Sequence, residues 1–136
     1  MTVAEAFLDS NVVLYLLSGD APKADRAEAV LQAGGLVSVQ VLNEVASVCH
    51  RKLHMTWSDI QSVLQAVKVS CDVLPLTLAV HEKAMDFAAR FQLSFYDANI
   101  VASAVLSGSA VLLTEDMHSG LTIEGLHIQN PFMGPT

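Results

Sequence analysis

Short apolar segments alternate with longer amphipathic ones along this chain, and that alternation most restricts the fold it can adopt. Ala6–Leu8, Leu36–Val39 and Ala110–Thr114 have the length and apolar character of buried strands. Between them, segments such as Ile60–Val67 place apolar residues at helical spacing. Strands that are joined through helices form a mostly parallel sheet with helices on both faces. The sequence therefore predicts an α/β fold.

Capping residues set the expected helix boundaries. Thr56, Thr77 and Ser94 stand where a side-chain oxygen can accept a hydrogen bond from the first turn of a helix. A short helix is expected over Val12–Leu17 and a longer one over about Val41–Leu53.

The size and composition favour one domain. A chain of 136 residues without a linker or repeat is expected to fold as a single domain over residues 1–136. Hydrophobic residues make up 52% and aromatic ones only 6%, so the core should be aliphatic. Cys49 and Cys71 lack metal-site spacing and fit a reducing compartment. Because no apolar segment reaches membrane length and no secretory leader is visible, the protein is expected to be soluble and cytoplasmic.

The acidic charge balance restricts the possible partners. Seven Lys and Arg against fourteen Asp and Glu give a formal net charge of −7. Phosphates favour basic surfaces, so the chain is not an obvious general nucleic-acid binder. A nucleic-acid site here would need a bound cation to reverse the local charge.

Four acids are expected at one end of the predicted sheet. Asp9 follows the first strand, and Asp116 follows a late apolar strand, beside Glu115. Asp97 and Glu44 lie near the starts of two helices. Ligands of open α/β sheets bind beyond the carboxyl ends of the strands, and clustered carboxylates need a compensating cation. Oxygen ligands of this kind suit Mg²⁺ or Mn²⁺, and the chemistry that follows is metal-assisted hydrolysis of a phosphodiester.

Glu44 is unusual because it shares a helix face with the apolar Val41 and Val48. A carboxylate on such a face is costly unless something pairs with it. No Lys or Arg lies within one turn on that face, since Arg51 is two turns away. A metal ion or a partner's arginine is the simplest remaining counter-charge.

Each acid also has a purely structural interpretation. Asp9 could cap the helix that follows it, and Asp97 forms a plausible capping box with Ser94. Asp116 could cap a turn, and Glu44 could be half exposed at an edge. Taken singly, these interpretations are favoured, whereas the convergence of all four acids favours a metal site.

Four short motifs resemble those of one known family and occur in its order: Phe7–Asn11, Val41–Val45, Ser94–Ala98 and Leu113–Met117. With the segment 123–132, they resemble the PIN-domain ribonuclease toxins of the VapC kind, from bacterial toxin–antitoxin pairs. The resemblance covers essentially the whole chain. Each motif alone is weak, but four in order at family-like spacing are specific.

The resemblance implies a three-layer α/β/α PIN-like fold with a mostly parallel central sheet, and a Mg²⁺- or Mn²⁺-dependent endoribonuclease. It also implies an RNA substrate, a small antitoxin protein as partner, and a homodimer. The family's acids, as catalytic residues and metal ligands, correspond to Asp9, Glu44, Asp97 and Asp116. Supporting polar positions correspond to Asn11, Ser38, Thr114 and Glu115.

A second class of function stays open at this stage, namely an acidic-pocket binding or receiver-type signalling module without nuclease activity. A receiver would want paired acids near its first strand and a lysine after a late strand. Here Asp9 is followed by Ser10 and Asn11, and no lysine occurs after Lys83. No Gly-rich phosphate loop is present, which excludes nucleotide hydrolysis of the P-loop kind.

Several histidines and basic residues have two interpretations. His50 and His54 have a spacing that could hold zinc, but no third ligand is evident, and a solvated helix end is favoured. Arg51 and Lys52 are candidates for contact with an RNA backbone, and an ordinary surface role is equally consistent. His118 could contact substrate or metal, with a plain loop histidine as the default.

Overall fold

The structure, a computed structural model, describes residues 6–117 and 119–133. The strands of these ranges are β1 (Phe7–Leu8), β2 (Gly35–Ser38), β3 (Cys71–Leu74), β4 (Val111–Leu113), β5 (Thr122–Ile123) and β6 (Leu126–Gln129). They form one sheet in the order β3-β2-β1-β4-β6-β5. Every neighbouring pair is parallel except β5 with β6, so the prediction of a mostly parallel sheet is confirmed.

The α-helices of the same ranges are α1 (Ser10–Leu14), α2 (Ala21–Gln32), α3 (Val39–Arg51), α4 (Trp57–Ser70), α5 (Leu78–Phe91) and α6 (Phe95–Leu106). The side chains of Thr56, Thr77 and Ser94 cap α4, α5 and α6 as predicted, each accepting a hydrogen bond from a first-turn N–H group. None of these helices is long and apolar enough to cross a membrane.

Helices cover both faces of the sheet, which gives the predicted three layers. Phe7 and Leu8 are neighbours in β1 and both are fully buried, although successive strand residues point to opposite faces. In β2, Val37 and Ser38 are likewise both fully buried. In α6, the run Ala98–Ala104 is buried without a break, so no face of this helix is exposed to solvent there.

Two helices start earlier than the periodicity predicts, because the residue that ends the preceding strand also caps the helix. The expected helix over Val12–Leu17 begins at Ser10, whose N–H group donates to Asp9. Only its first part is α-helical, and a 3₁₀ turn follows. The expected helix over Val41–Leu53 runs over Val39–Arg51, and the hydroxyl of Ser38 caps it.

Of the hairpin formed by β5 and β6, the sequence predicts only a final strand over Leu126–Ile128, which is β6; β5 is not among the predicted elements. Ile123 and Leu126 pair across a two-residue turn, in which Glu124 and Gly125 have φ angles of 48° and 88°. Positive φ at both central residues is the backbone of a type I′ hairpin turn, usually supplied by Asn-Gly or Asp-Gly. Glu-Gly is a weaker signal, and the strand β5 is too short to show periodicity.

The strand order reverses between β1 and β4. From β1 the chain proceeds outward through β2 to β3 on one side; β4 lies on the other side of β1, with β6 and then β5 beyond it. A crevice forms at the carboxyl ends of two strands where the order reverses in this way, and it is the usual ligand site of such sheets. Asp9 follows β1 and Thr114 follows β4 directly, so both lie at this crevice.

Candidate active site

Asp9 is held rigidly at the end of β1. It is 4% exposed, and Oδ1 accepts a hydrogen bond of 2.7 Å from the backbone N–H of Ser10. Oδ2 accepts one of 2.8 Å from the hydroxyl of Thr114 and a longer one of 3.4 Å from Asn11. The carboxylate therefore caps α1 and also stands at the crevice, so the structural and the functional interpretations of Asp9 do not exclude each other.

Thr114 and Asn11 join the ends of β1 and β4. The hydroxyl of Thr114 accepts from Asn11 Nδ2 at 3.0 Å and from the N–H of Asp116 at 3.2 Å. Asn11 Oδ1 accepts from the N–H of Glu115 at 3.1 Å. Because Thr114 is fully buried, this network fixes the loop that carries Asp116 relative to Asp9.

Glu44 lies on the cleft-facing side of α3. The helix starts directly after β2, where Ser38 Oγ accepts a hydrogen bond of 3.3 Å from Val41 N–H. The Glu44 side chain is partly buried. Its Oε2 atom is buried without a hydrogen-bond partner. A buried acceptor without a donor is costly. Ser38, a predicted supporting residue, thus caps the helix that carries Glu44.

Asp97 lies in the first turn of α6. Its N–H donates to Ser94 Oγ at 3.1 Å, so the predicted helix cap is present. The side chain is half-buried, and its pKa is raised by burial and by the charge of Asp116, against the opposing effect of Ser94. Asp97 therefore lies in the first turn of α6 and also belongs to a cluster of four carboxyl groups. This cluster, here called the acidic group, consists of Asp9, Glu44, Asp97 and Asp116.

The four acids converge electrostatically, as the sequence predicts. Burial, with smaller contributions from Asp97 and Asp116, raises the pKa of Asp9 to about 6. Burial and the charges of Asp9 and Asp97 raise the pKa of Glu44 to about 7, partly offset by a hydrogen bond with Gln40. The charges that act on these carboxyls are themselves carboxylates, so proximity is destabilising unless a cation is bound.

A cleft of about 670 Å³ opens at this acidic group. Of the four acids, Glu44 and Asp116 line it, whereas Asp9 and Asp97 do not; their chain neighbours Ser10, Asn11 and Tyr96 do. Two basic side chains, Arg51 and Lys52, and the aromatic side chain of Tyr96 also line the cleft. Arg51 and Lys52 were candidates from the sequence, whereas Tyr96 was not; its position next to Asp97 was the available signal.

Glu115 does not line the cleft. Its carboxylate accepts a hydrogen bond from the hydroxyl of Tyr15 and forms an ion pair of 2.8 Å with Lys23. Lys23 and Tyr15 lower the pKa of Glu115, the opposite of the effect seen in the acidic group. Of the two adjacent acids after β4, the structure thus places Asp116 at the site and engages Glu115 in a separate structural contact.

The two histidines with zinc-like spacing in the sequence, His50 and His54, form no ligand pair in the described part of the chain. α3 ends at Arg51, and His54 lies beyond it with a φ of 55°, so His50 and His54 do not share a helix face. His50 stacks on Trp57 with ring centroids 4.0 Å apart. His118 lies outside the described residues.

The acidic group fits a hard divalent cation that keeps part of its water shell. No three acidic, histidine or cysteine side chains within residues 6–117 and 119–133 form a ready-made metal-binding group. Mg²⁺ is often bound by only one or two carboxylates, with water and substrate phosphate completing the shell. The unpartnered oxygen of Glu44 and the raised pKa of Asp9 are what such an ion would relieve.

Comparison with protein families identifies the fold. Residues 6–118 match the PIN domain. The chain belongs to the PIN domain family. The resemblance inferred from the four motifs is therefore confirmed at the level of the family, and the family favours a nuclease over a receiver-type module. No curated protein matches this PIN domain.

Solved structures share the PIN fold across nearly the whole chain. A toxin–antitoxin complex from Klebsiella pneumoniae superimposes with a TM-score of 0.71 at 23% identity, covering 93% of this chain and 97% of that one. DNA-bound VapBC from Salmonella typhimurium has a TM-score of 0.69 at 17% identity, covering 95% and 99%. VapC20 of Mycobacterium tuberculosis, a sarcin–ricin-loop-cleaving toxin, has a TM-score of 0.62 at 22% identity, covering 79% and 86%.

Proposed function

We propose that this PIN domain is a Mg²⁺- or Mn²⁺-dependent endoribonuclease and the toxin of a toxin–antitoxin pair. The observation that carries the proposal is the meeting of four carboxyl groups at the crevice between β1 and β4, with the pKa of Asp9 and Glu44 raised by burial and mutual repulsion. The shared fold with a sarcin–ricin-loop-cleaving toxin and with toxin–antitoxin complexes supports it.

In this function, Asp9, Glu44, Asp97 and Asp116 would hold the cation. When bound, the ion would neutralise the substrate phosphate and activate water for attack on phosphorus. Thr114 and Asn11 keep the Asp9 carboxylate in place and hold the loop of Asp116 against it. Substrate binding to an acidic chain then depends on the ion, because the carboxylates alone would repel RNA.

The proposal extends to partners and location. Several of the structurally similar toxins were solved as complexes with an antitoxin, and a small antitoxin protein is the proposed partner here. We further propose that the protein is cytoplasmic, in keeping with its two widely spaced cysteines, Cys49 and Cys71, and that it forms a homodimer, as its family resemblance implies.

Cleavage of an RNA pool by the purified protein tests this function. In Mg²⁺ or Mn²⁺ we expect internal cuts with defined ends, because the acidic group can bind RNA phosphate only through a cation. In excess EDTA the cuts should disappear, and added metal should restore them. Equal cleavage in EDTA would exclude metal catalysis, and no cleavage in either metal would contradict the ribonuclease assignment.

A further inference from the structure

Two basic side chains share the cleft with the acids. Arg51 and Lys52, at the C-terminal end of α3, line the same opening as Glu44 and Asp116. Neither forms an ion pair with any carboxylate of the described residues. The Nε atom of Arg51 donates to Ser47 at 2.9 Å, a neutral contact that orients the guanidinium and leaves its charge uncompensated.

The other basic side chains of the chain are engaged differently or lie elsewhere. Lys23, Lys83 and Arg90 form ion pairs with carboxylates. Arg26 donates to a backbone carbonyl of the C-terminal segment. Lys68 lies on α4 and does not line the cleft. The cleft is therefore the place where two adjacent cations without ion pairs face the acidic group.

One stripe of α3 carries both signs of charge. Glu44 and Arg51 are seven residues apart, or about 10 Å along the helix axis, and Ser47 and Val48 line the cleft between them. If one phosphate of an RNA strand lies near Glu44, the adjoining part of that RNA strand passes the guanidinium of Arg51. Arginine binds phosphate through two parallel N–H groups, and lysine adds a point charge.

Tyr96 supplies an exposed aromatic surface at the same cleft. It is 65% exposed, directly precedes Asp97 and makes no ring contact with another aromatic side chain of the described residues. Proteins that bind single nucleic-acid strands combine a basic track along the backbone with aromatic side chains on which bases stack.

We infer that Arg51, Lys52 and Tyr96 position the RNA strand beside the bond to be cut: the two cations bind phosphates next to the scissile one, and a neighbouring base stacks on Tyr96. This inference rests on the proposed ribonuclease function and assigns its substrate-positioning residues. It also explains how a protein with a net charge of −7 can bind RNA through a local basic surface.

Salt-dependent binding of a labelled single-stranded RNA, measured by fluorescence anisotropy in Mg²⁺, tests the two cations. The Asp97→Asn background prevents cleavage during the measurement, and a constant Mg²⁺ concentration high enough to saturate its weakened metal site keeps the ion bound in every variant. Arg51→Gln or Lys52→Gln should each reduce the slope of log affinity against log salt by about 0.7, the value for one phosphate contact with a single strand. Lys68→Gln is the matched control, since it removes one cation outside the cleft, and it should leave the slope unchanged.

Stacking is tested by a pair of aromatic variants. Tyr96→Ala should weaken binding about 5-fold or more at every salt concentration, whereas Tyr96→Phe should bind like tyrosine. With Asp97 restored, all three cleft variants should raise KM and leave kcat within about 2-fold. Unchanged melting temperatures would show that the effects do not come from unfolding.

The possible results distinguish failure of the RNA-positioning role from failure of the proposed ribonuclease function. If the unsubstituted protein cleaves RNA but the Arg51, Lys52 and Tyr96 variants bind it as Lys68→Gln does, the positioning role is wrong and the ribonuclease function stands. If the unsubstituted protein neither binds nor cleaves RNA in Mg²⁺ or Mn²⁺, both are wrong.

Discussion

Asp9→Asn and Asp97→Asn are each expected to lower the rate of RNA cleavage by at least about 100-fold. Mutation of a residue that only hydrogen-bonds to a metal ligand already lowers metal affinity or activity by about 10- to 100-fold, and loss of a ligand should have a larger effect. Asparagine has the size of aspartate and keeps one oxygen to accept the hydrogen bond from the helix start, where Ser10 N–H donates to Asp9. The substitutions remove charge from a repelling group, so we expect the fold to survive.

Gel-based cleavage rates in Mg²⁺, with circular dichroism and melting curves on the same preparations, measure this effect. Asp25→Asn is the matched control, because Asp25 is an exposed acid on α2 away from the cleft. Its variant should cleave at the unsubstituted rate. Metal-dependent cleavage retained in both Asp9→Asn and Asp97→Asn would show that the reaction takes place elsewhere on the molecule.

Cleavage at limiting Mg²⁺ should rise steeply between pH 5 and pH 8. Metal ligands must be deprotonated, and without metal the pKa of Asp9 is about 6 and that of Glu44 about 7. Below these values the rate should fall about tenfold per pH unit for each carboxyl that has to lose its proton. Raising the metal concentration should move the profile to lower pH. A flat profile would show that neither carboxyl has to ionise for cleavage.

Whereas cleavage should rise with pH, the stability of the metal-free protein should fall as the pH rises. Because the folded-state pKa of Glu44 lies above its ordinary value of 4.5, folding favours the protonated form. That stabilisation is complete below the ordinary value and is lost as the pH rises through about 7. In EDTA, Glu44→Gln should therefore gain in melting temperature relative to the unsubstituted protein between pH 5 and pH 8, and Mg²⁺ should reduce the difference.

Local capping rules predicted the starts of α5 and α6. Ser94 and Thr77 cap their helices because a hydroxyl at that position satisfies an N–H group that the helix itself cannot. The same rule makes Asp9 a cap. It could not reveal that the other carboxylate oxygen of Asp9 accepts a hydrogen bond from Thr114, which lies 105 residues further along the chain. Contacts of that range depend on the sheet order.

The residue pattern alone could not separate the roles of the neighbours Glu115 and Asp116, and only the family resemblance ranked Asp116 above Glu115. Both follow β4, but Glu115 turns to Lys23 and Tyr15, whereas Asp116 lines the cleft. Which of two adjacent acids meets the crevice depends on the loop geometry fixed by Thr114. By contrast, the prediction that Glu44 lies on a partly buried helix face without a basic neighbour within one turn agrees with its unpartnered oxygen.

Binding of Mn²⁺ at pH 8, followed by isothermal titration calorimetry, tests most directly whether the four carboxyl groups form a cation site. We predict saturable binding by the unsubstituted protein and by Asp25→Asn, and affinity at least about tenfold weaker in Asp97→Asn and Asp9→Asn. Equal affinity in all four proteins, or no binding by any of them, would contradict the metal site.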